Sequence, residues 1–389
     1  MSAESAPAGA VGFAGGGTGG HLYPALAIAE HLPDHRALYI HSDRAIDARV
    51  LEGAGVPEAD RFASPARPPI AKPLPAARFV LRWGASVRHA REILREARRA
   101  HGRVVVVATG GFVCAPAACA SKAERVPLIA LALDAVPGKA SKWGARLAST
   151  ALTVHPQPAY ADWTPLGPIV RAASLAPGNP EHCRRELGLD PDRPTLLVVG
   201  GSQGAGSIND LLHAELEAAE SQEGDRQKRG VLETLRAGAW QVLHQSGERD
   251  LDRLRDAYAS AGVPARVEPL FEPVGLALGA ADLTLTRGGA GAIADAWANT
   301  LPCLVAPYPH HRDQHHAANA EPVVRVGAAV VETDHADVER NREGLGARLA
   351  SLLGDAGARA RMRGAFGQLP EPEGAERAAR IIRQTFAAS

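Results

Sequence analysis

Hydrophobic positions in this chain gather in short, nearly unbroken runs rather than in the alternating pattern of a half-exposed strand. The runs are Ala10–Phe13, Ala37–Ile40, Val104–Ala108, Leu128–Leu133, Thr195–Val199, Trp240–Leu243, Leu283–Thr286 and Cys303–Ala306. Stretches of helical spacing separate them. A strand that is apolar on both faces must be covered on both faces, as a parallel strand is between two helical layers. The alternation therefore predicts the α/β class with doubly wound parallel sheets. A stretch rich in Pro and Gly, 165–180, precedes a fresh strand at Thr195. It divides the chain into an N-terminal domain at 11–174 and a C-terminal domain at 175–370. Residues 1–10 read as a disordered N-terminus. The spacing of Ala379, Ile382 and Phe386 predicts a helix within 371–389 that packs back on the N-terminal domain. Two charged segments, Glu215–Arg229 and Glu248–Arg255, read as solvated helices or surface insertions.

Composition narrows the function classes. With 389 residues and 46% hydrophobic content, the chain can bury more than one core. A formal net charge of zero argues against a nucleic-acid partner. Charge is uneven, however. Pro73–Arg99 combines Phe79, Val80, Leu81, Trp83, Ile93 and Leu94 with Arg78, Arg82, Arg88, Arg91, Arg95, Arg98 and Arg99. Apolar and aromatic residues among arginines suit an interfacial contact with an anionic membrane surface, and they equally suit a core-facing helix with a basic outer face. No apolar run approaches the roughly 20 residues needed to span a bilayer, and the first residues lack the pattern of a signal peptide. Cys114, Cys119, Cys183 and Cys303 follow no metal or disulfide spacing and are expected to behave as small buried hydrophobes.

Four glycine-rich turns follow apolar runs and precede helical stretches. They are Gly15–His21, Thr109–Phe112, Gly200–Ala205 and Arg287–Gly291. Glycine lets a ligand approach the main chain, and the N–H groups opening the next helix suit a phosphate or a developing anion. Gly15, Gly17 and Gly20 also satisfy the dinucleotide pattern G-x-G-x-x-G, with Asp43 about twenty residues on. That admits an NAD-dependent oxidoreductase as a competing class. One dinucleotide needs one such turn, however. Four in two domains point instead to an extended ligand bearing phosphate. The loose D-x-D of Asp250 and Asp252 lies in a charged helical run and is not expected to hold a metal. His310, His311, His315 and His316 are dense enough for a metal site, but no Cys completes them. No cofactor is expected.

At these motifs the chain resembles the MurG family, the family-28 peptidoglycan N-acetylglucosaminyltransferases of the GT-B class. Gly15–Pro24 (GGGTGGHLYP), Gly200–Ala205 (GGSQGA) and Arg287–Asn319 carry the resemblance. Pro137–Gly138 to Lys142–Trp143 and Gly167–Arg171 follow in order, so it spans nearly the whole chain. The resemblance implies a GT-B fold, with two Rossmann-like domains facing across a cleft. It implies transfer of N-acetylglucosamine from UDP-N-acetylglucosamine to the 4-hydroxyl of undecaprenyl-pyrophosphoryl-N-acetylmuramoyl-pentapeptide, by a peripheral protein at the cytoplasmic face of the plasma membrane. It also implies contacts from Thr18, Gly19 and Gly20 to the donor diphosphate or the acceptor. Arg171 and Ser202 would meet the uridine or phosphate part, and Phe271 the uracil. Ala290, Gly291, Ala292, Ile293, Ala294 and Asp295 would line the ribose and diphosphate, with His315 and His316 near the sugar. Asp134, Asp295 and His316 depart from the family's Asn, Glu and Gln, which admits another acceptor, an epimerase or a non-catalytic binder. For the base that takes the acceptor proton, His21 and Asp134 are the candidates. His21 could equally hold a phosphate or cap the helix, and Asp134 could equally bond its own loop.

Overall fold

A computed structural model describes residues 8–17, 19–65, 73–201, 204–217, 230–310 and 313–388, apart from the side chains of 73–81. The chain forms two compact units, residues 1–171 with 373–389, and residues 172–372. The expected boundary at 174/175 lies beside the unit edge at Arg171/Ala172.

In the first unit the strands are β1 (Ala10–Gly15), β2 (Arg36–Ser42), β3 (Arg61–Ser64), β4 (Val104–Gly110), β5 (Leu128–Ala132), β6 (Thr150–Thr153) and β7 (Thr164–Pro165). Its first helices are α1 (Gly19–Glu30), α2 (Ala45–Gly53), α3 (Pro73–His101), α4 (Cys114–Ala123) and α5 (Lys139–Leu147). The strands form one sheet in the order β3-β2-β1-β4-β5-β6-β7, and every pairing is parallel. β1 is buried at all six positions and β4 at all seven, which explains their unbroken apolar character.

The second unit holds β8 (Thr195–Val199), β9 (Gln241–Gln245), β10 (Ala265–Glu268), β11 (Leu283–Thr286), β12 (Cys303–Val305) and β13 (Ala329–Val331). Its helices are α6 (Pro180–Glu186), α7 (Gly206–Glu217), α8 (Val231–Ala237), α9 (Leu251–Ser260), α10 (Val274–Ala280), α11 (Ala290–Ala298), α12 (His315–Arg325), α13 (Val338–Asn341), α14 (Ala347–Gly354) and α15 (Ala356–Ala365). The sheet order is β10-β9-β8-β11-β12-β13, again wholly parallel. Alternate residues of β8 enter two separate cores. Leu196 and Val198 pack with Leu212, Trp240 and Leu349, while Leu197 packs with Leu243, Ile293 and Val305 on the opposite side.

Both sheets reverse direction of winding once. β1 sits between β2 and β4, and β8 sits between β9 and β11. At such a switch point the loops leaving the two central strands splay apart and open a crevice beyond their C-terminal ends. The four glycine turns stand there in pairs, after β1 and β4 in the first unit and after β8 and β11 in the second.

Several expectations are corrected. Residues 1–7 lie outside the described residues, but the disordered N-terminus expected through residue 10 is ordered from Ala8. Its N–H donates to Asp34 O (2.8 Å), and Ala10 already belongs to β1. The first helix begins at Gly19 rather than Pro24. Proline lacks an N–H, and near a helix start this leaves only one carbonyl without its helical donor. Glu215 is not solvated. It is buried at the end of α7, where it accepts from Arg342 Nε and Val231 N–H, both at 2.8 Å. Residues 218–229 of that segment lie outside the described residues. Asp250 is also buried. It accepts from Asn209 Nδ2 (2.8 Å) and Arg249 (2.9 Å), while its neighbour Asp252 is exposed. A buried acid persists where donors compensate its lost hydration.

Three cysteines are buried and Cys119 is half-buried. Burial pushes the Cys303 thiol up to about 12, which suits an inert filler. The last helix, α16 (Gly374–Ala388), belongs to the first unit and packs on α1 and β4. Ala375, Ala378, Ala379, Ile382 and Phe386 form its buried stripe. Arg103 Nη1 donates to Phe386 O (2.8 Å), and the Phe386 ring meets His35 at 4.7 Å between centroids.

Ile382→Ala should lower the stability of the first unit by about 2–5 kcal/mol, because Ile382 is fully buried and its truncation removes packed apolar volume. Scanning calorimetry should show one transition moving down while the other stays. An unchanged thermogram would contradict the docked position of α16.

Candidate functional site

The first unit's glycine turn is held from three sides. Asp47, fully buried at the start of α2, accepts from Gly17 N–H (2.8 Å), Ser42 N–H (3.0 Å) and Ser42 Oγ (2.6 Å). Arg44 Nη1 donates to Gly17 O (2.8 Å), and its guanidinium lies 5.8 Å from the Phe112 ring centroid. Thr109 Oγ1 donates to His21 O (2.8 Å), which joins the turn after β4 to the start of α1. The turn thus offers a fixed backbone before any ligand arrives.

His21 occupies the third position of α1. Its ring packs closely against the turn after β4. A Cβ on Gly110 would sit 2.5 Å from His21 Cδ2, and a Cβ on Gly111 would sit 2.2 Å from Gly16 O. Only glycine admits the imidazole there. Nδ1 is 3.1 Å from Gly16 O. A carbonyl can only accept, so Nδ1 carries the hydrogen and Nε2 carries the lone pair in the neutral ring. Burial pushes the His21 pKa below its ordinary 6.5, against the opposing pull of Asp134, the Gly16 carbonyl and Asp47. The imidazole is therefore neutral at pH 7.

Asp134, two residues beyond β5, is half-buried, and its charge acts on two imidazoles, His21 and His155. The sequence reading missed His155. It follows β6 by two residues, level with Asp134 in the β5–β6 register that pairs Ala132 with Thr153. Burial drives its pKa down to about 4. Its position at a C-terminal strand edge was the available signal.

Of the other first-unit candidates, Gly19 and Gly20 open α1, with Gly19 buried and Gly20 exposed. Thr18 lies outside the described residues. Arg171 is held against α1, with its guanidinium 5.2 Å from the Tyr23 ring centroid and Nε 3.7 Å from Glu30.

In the second unit, Gly204 packs so closely that an added Cβ would lie 2.0 Å from Ser246 O, and its φ is +75°. Any side chain there would push the turn off the sheet. Ser202 lies outside the described residues. Gln245, at the end of β9, was also missed. Its Nε2 donates to Gly201 O (2.9 Å), and its Oε1 accepts from Phe271 N–H (3.2 Å). The Phe271 side chain is buried in the core, so Phe271 presents main chain rather than ring. A polar residue closing an apolar strand was the clue to Gln245.

The turn after β11 is fixed by Asn319 Nδ2, which donates to Gly288 O (3.2 Å). Gly289 then caps α11, leaving the N–H groups of Ala290, Gly291 and Ala292 at its positive end. The side chains of α11 divide between two faces. Ile293 and Ala294 are buried toward the core, while Gly291, Ala292 and Asp295 share the more open face. The i, i+1, i+4 spacing on a 3.6-residue turn dictates that division. His315 Nδ1 lies 2.7 Å from Asp313 Oδ1, and His316 Nδ1 accepts from Tyr308 N–H (3.3 Å). His311 lies outside the described residues. Among the described residues no group of three or more His, Cys, Asp or Glu is gathered as a metal site would require.

Comparison with known proteins adds an independent line. The glycosyltransferase family 28 N-terminal domain matches residues 11–153, and the family 28 C-terminal domain matches residues 195–377. A UDP-N-acetylglucosamine–N-acetylmuramyl-(pentapeptide) pyrophosphoryl-undecaprenol N-acetylglucosamine transferase of Clavibacter michiganensis is 32% identical over 97% of this chain and 96% of its own length. A protein of the same name from Desulforudis audaxviator is 32% identical over 96% of this chain and 97% of its own. In fold, the chain is similar to Acinetobacter baumannii MurG, with a TM-score of 0.67 at 20% identity, covering 96% of this chain and 99% of that one. The order of the strands, the paired glycine turns and this end-to-end kinship agree: the chain belongs to glycosyltransferase family 28, among the UDP-N-acetylglucosamine–N-acetylmuramyl-(pentapeptide) pyrophosphoryl-undecaprenol N-acetylglucosamine transferases.

Proposed function

We propose that the chain is an inverting glycosyltransferase that moves N-acetylglucosamine from UDP-N-acetylglucosamine to the 4-hydroxyl of lipid-linked N-acetylmuramoyl-pentapeptide, in peptidoglycan synthesis. The observation that carries this reading is the pairing of glycine turns at the switch point of each sheet, in a chain whose relatives bear that activity in their names.

The donor belongs to the second unit. The N–H groups opening α7 and α11 point beyond the sheet edge, where a diphosphate would accept from them. As the bond from the sugar C1 to the phosphate oxygen breaks, negative charge grows on the departing UDP, and these fixed dipoles stabilise it without reorganising. Asp295, on the open face of α11, suits the ribose hydroxyls. Phe271 would meet the uracil through its carbonyl, since its N–H is given to Gln245. His315 and His316, opening α12, would contact the sugar. Thr18, Gly19, Gly20, Arg171 and Ser202 would make the substrate contacts that the family resemblance implies.

The acceptor belongs to the first unit, with His21 as base. The acceptor 4-hydroxyl oxygen attacks C1 from the face opposite the diphosphate, and its proton passes to His21 Nε2. The imidazolium so formed is disfavoured by burial and favoured by the charges of Asp134 and Asp47. A neutral imidazole at pH 7 is the form this step needs.

We also infer a membrane contact at the N-terminal end of α3, on the cytoplasmic face of the plasma membrane. Only part of Pro73–Arg99 is available for it. Ile93 and Leu94 are buried in the core. Arg91 and Arg95 pair with Glu124 at 2.6 and 2.9 Å, and Arg98 donates to Glu124 O (3.1 Å). Exposed Arg82 and Arg88, with Trp83 edge-on to Trp143 at 6.3 Å, support the contact. Phe79, Val80 and Leu81 fall among the side chains not described. No helix among the described residues is long and apolar enough to cross a membrane.

His21→Ala should cut kcat by about 10²- to 10⁴-fold while UDP binding persists. With His21 intact, kcat/KM should decline on acidification with a midpoint below 6.5, because a lowered pKa keeps the base neutral further into acid. Near-normal turnover in the variant removes His21 from the mechanism. Asp295→Ala should raise the donor KM by roughly tenfold or more and leave the acceptor KM unchanged; equal effects on both would move Asp295 away from the ribose. Binding to anionic vesicles should weaken with added salt and in an Arg82→Ala, Arg88→Ala double variant. Indifference to lipid charge would contradict the membrane contact.

A further inference from the structure

Arg287 leads the signature after β11 and is the cation nearest the second unit's glycine turns in sequence. A cation so placed suggests a phosphate ligand, yet the hydrogen bonds account for it otherwise. Its Nη1 donates to the Asp334 carboxylate, and also to Ala306 O at 3.3 Å. Its Nη2 donates to Ser207 Oγ at 2.6 Å. The Tyr308 ring centroid lies 5.6 Å from the guanidinium. Arg287 is 7% exposed.

Asp334 is equally committed. Besides Arg287, its Oδ2 accepts from Ser207 Oγ at 2.5 Å. Its Oδ1 accepts from Asn341 Nδ2 and from Ala336 N–H, each at 2.8 Å. The Ser207 hydroxyl therefore donates to the carboxylate and accepts from the guanidinium, which uses both of its capacities. Burial alone would push the Asp334 carboxyl up; the donors Ser207, Arg287, Asn341 and Ala336 N–H hold it below the usual carboxylate range.

The four participating segments leave four different strands. Ser207 is in the first turn of α7, after β8. Arg287 follows β11 directly, Ala306 follows β12 directly, and Asp334 lies three residues past β13. A planar guanidinium holds such points in a fixed fork of donors, a geometry that an ammonium on its flexible stem does not impose.

We infer that Arg287, Asp334 and Ser207 form a buried positioning triad that locks the start of α7 to the turn after β11, and that Arg287 is not itself a phosphate ligand. The inference rests on the reading that the second unit binds the UDP-sugar. With its charge neutralised by Asp334, Arg287 supplies geometry, and the donor's charge falls to main-chain N–H groups. Asp334 lies outside every motif that suggested the donor site. It becomes a positioning residue for donor binding through contacts with Ser207 and Arg287.

The test compares the full-length chain with Asp334→Asn and Ser207→Ala, using calorimetric titration with UDP and steady-state transfer kinetics. Asp334→Asn should weaken UDP binding and raise the donor KM by roughly ten- to hundredfold, as expected when binding loops shift by a fraction of an ångström to an ångström. The acceptor KM should be unchanged and kcat should hold within about twofold. Ser207→Ala should move the same quantities in the same direction by less, and it carries the test alone if Asp334→Asn does not fold. A purely structural role would lower the melting temperature but leave the UDP affinity of the folded variants intact, and that result overturns the inference. Tighter UDP binding in Asp334→Asn also overturns it, since it would mean that the released Arg287 grips phosphate. Failure of the unaltered chain to bind UDP overturns the donor reading and this inference with it.

Discussion

Both glycine-lined sheet edges depend on one constraint: a ligand can reach main-chain N–H groups only where no side chain stands in the way. Parallel sheets aim their strand ends and the following helix N-termini at the same edge, so fixed partial positive charge accumulates there. Glycine clears the approach. At Gly204 and Gly110 the space that a Cβ would need is already filled, by Ser246 O and by the His21 ring. These positions are therefore set by packing as much as by binding. The turns keep their shape because the atoms behind them leave no alternative.

Rigid support recurs behind each turn, in a different chemical form. In the first unit a single carboxylate, Asp47, gathers the N–H groups of Gly17 and Ser42. In the second, an amide, Gln245, joins Gly201 to Phe271, and the buried Arg287–Asp334 ion pair holds the Ser207 hydroxyl between its two members. Buried polar groups are costly unless satisfied, so networks of this kind tolerate few arrangements. That intolerance lets a loop built largely of glycine present a defined surface.

Much of the architecture was legible in the sequence. The eight apolar runs all fall on strands, because central parallel strands are buried on both faces and must read as continuous hydrophobic segments. The strands that left no such signal are β3, β7, β10 and β13, each at a sheet edge, together with the short β6 beside one. β3, β7 and β10 carry polar residues such as Arg61, Thr164 and Arg266, and so lack the pattern, while β13 is apolar but only three residues long. The glycine turns were visible as motifs. Their grouping in pairs at switch points was not, since strand order is a long-range property. Helix faces were harder still. Ile293 and Ala294 belong to the same motif as Asp295, yet they point into the core. The partners His155, Gln245 and Asp334 stand far along the chain from the residues they serve, and only the fold brings them near. Glu215 and Asp250 looked solvated because a charged neighbourhood in sequence does not reveal an arginine or asparagine supplied from elsewhere.

The most direct measurement is amide hydrogen exchange with and without saturating UDP. Binding through main-chain hydrogens predicts slowed exchange at Ala205–Ser207 and at Ala290–Ala292, with the sheet interiors unchanged. If UDP binds while those amides exchange at their free rates, the diphosphate is held by other groups and the central claim fails.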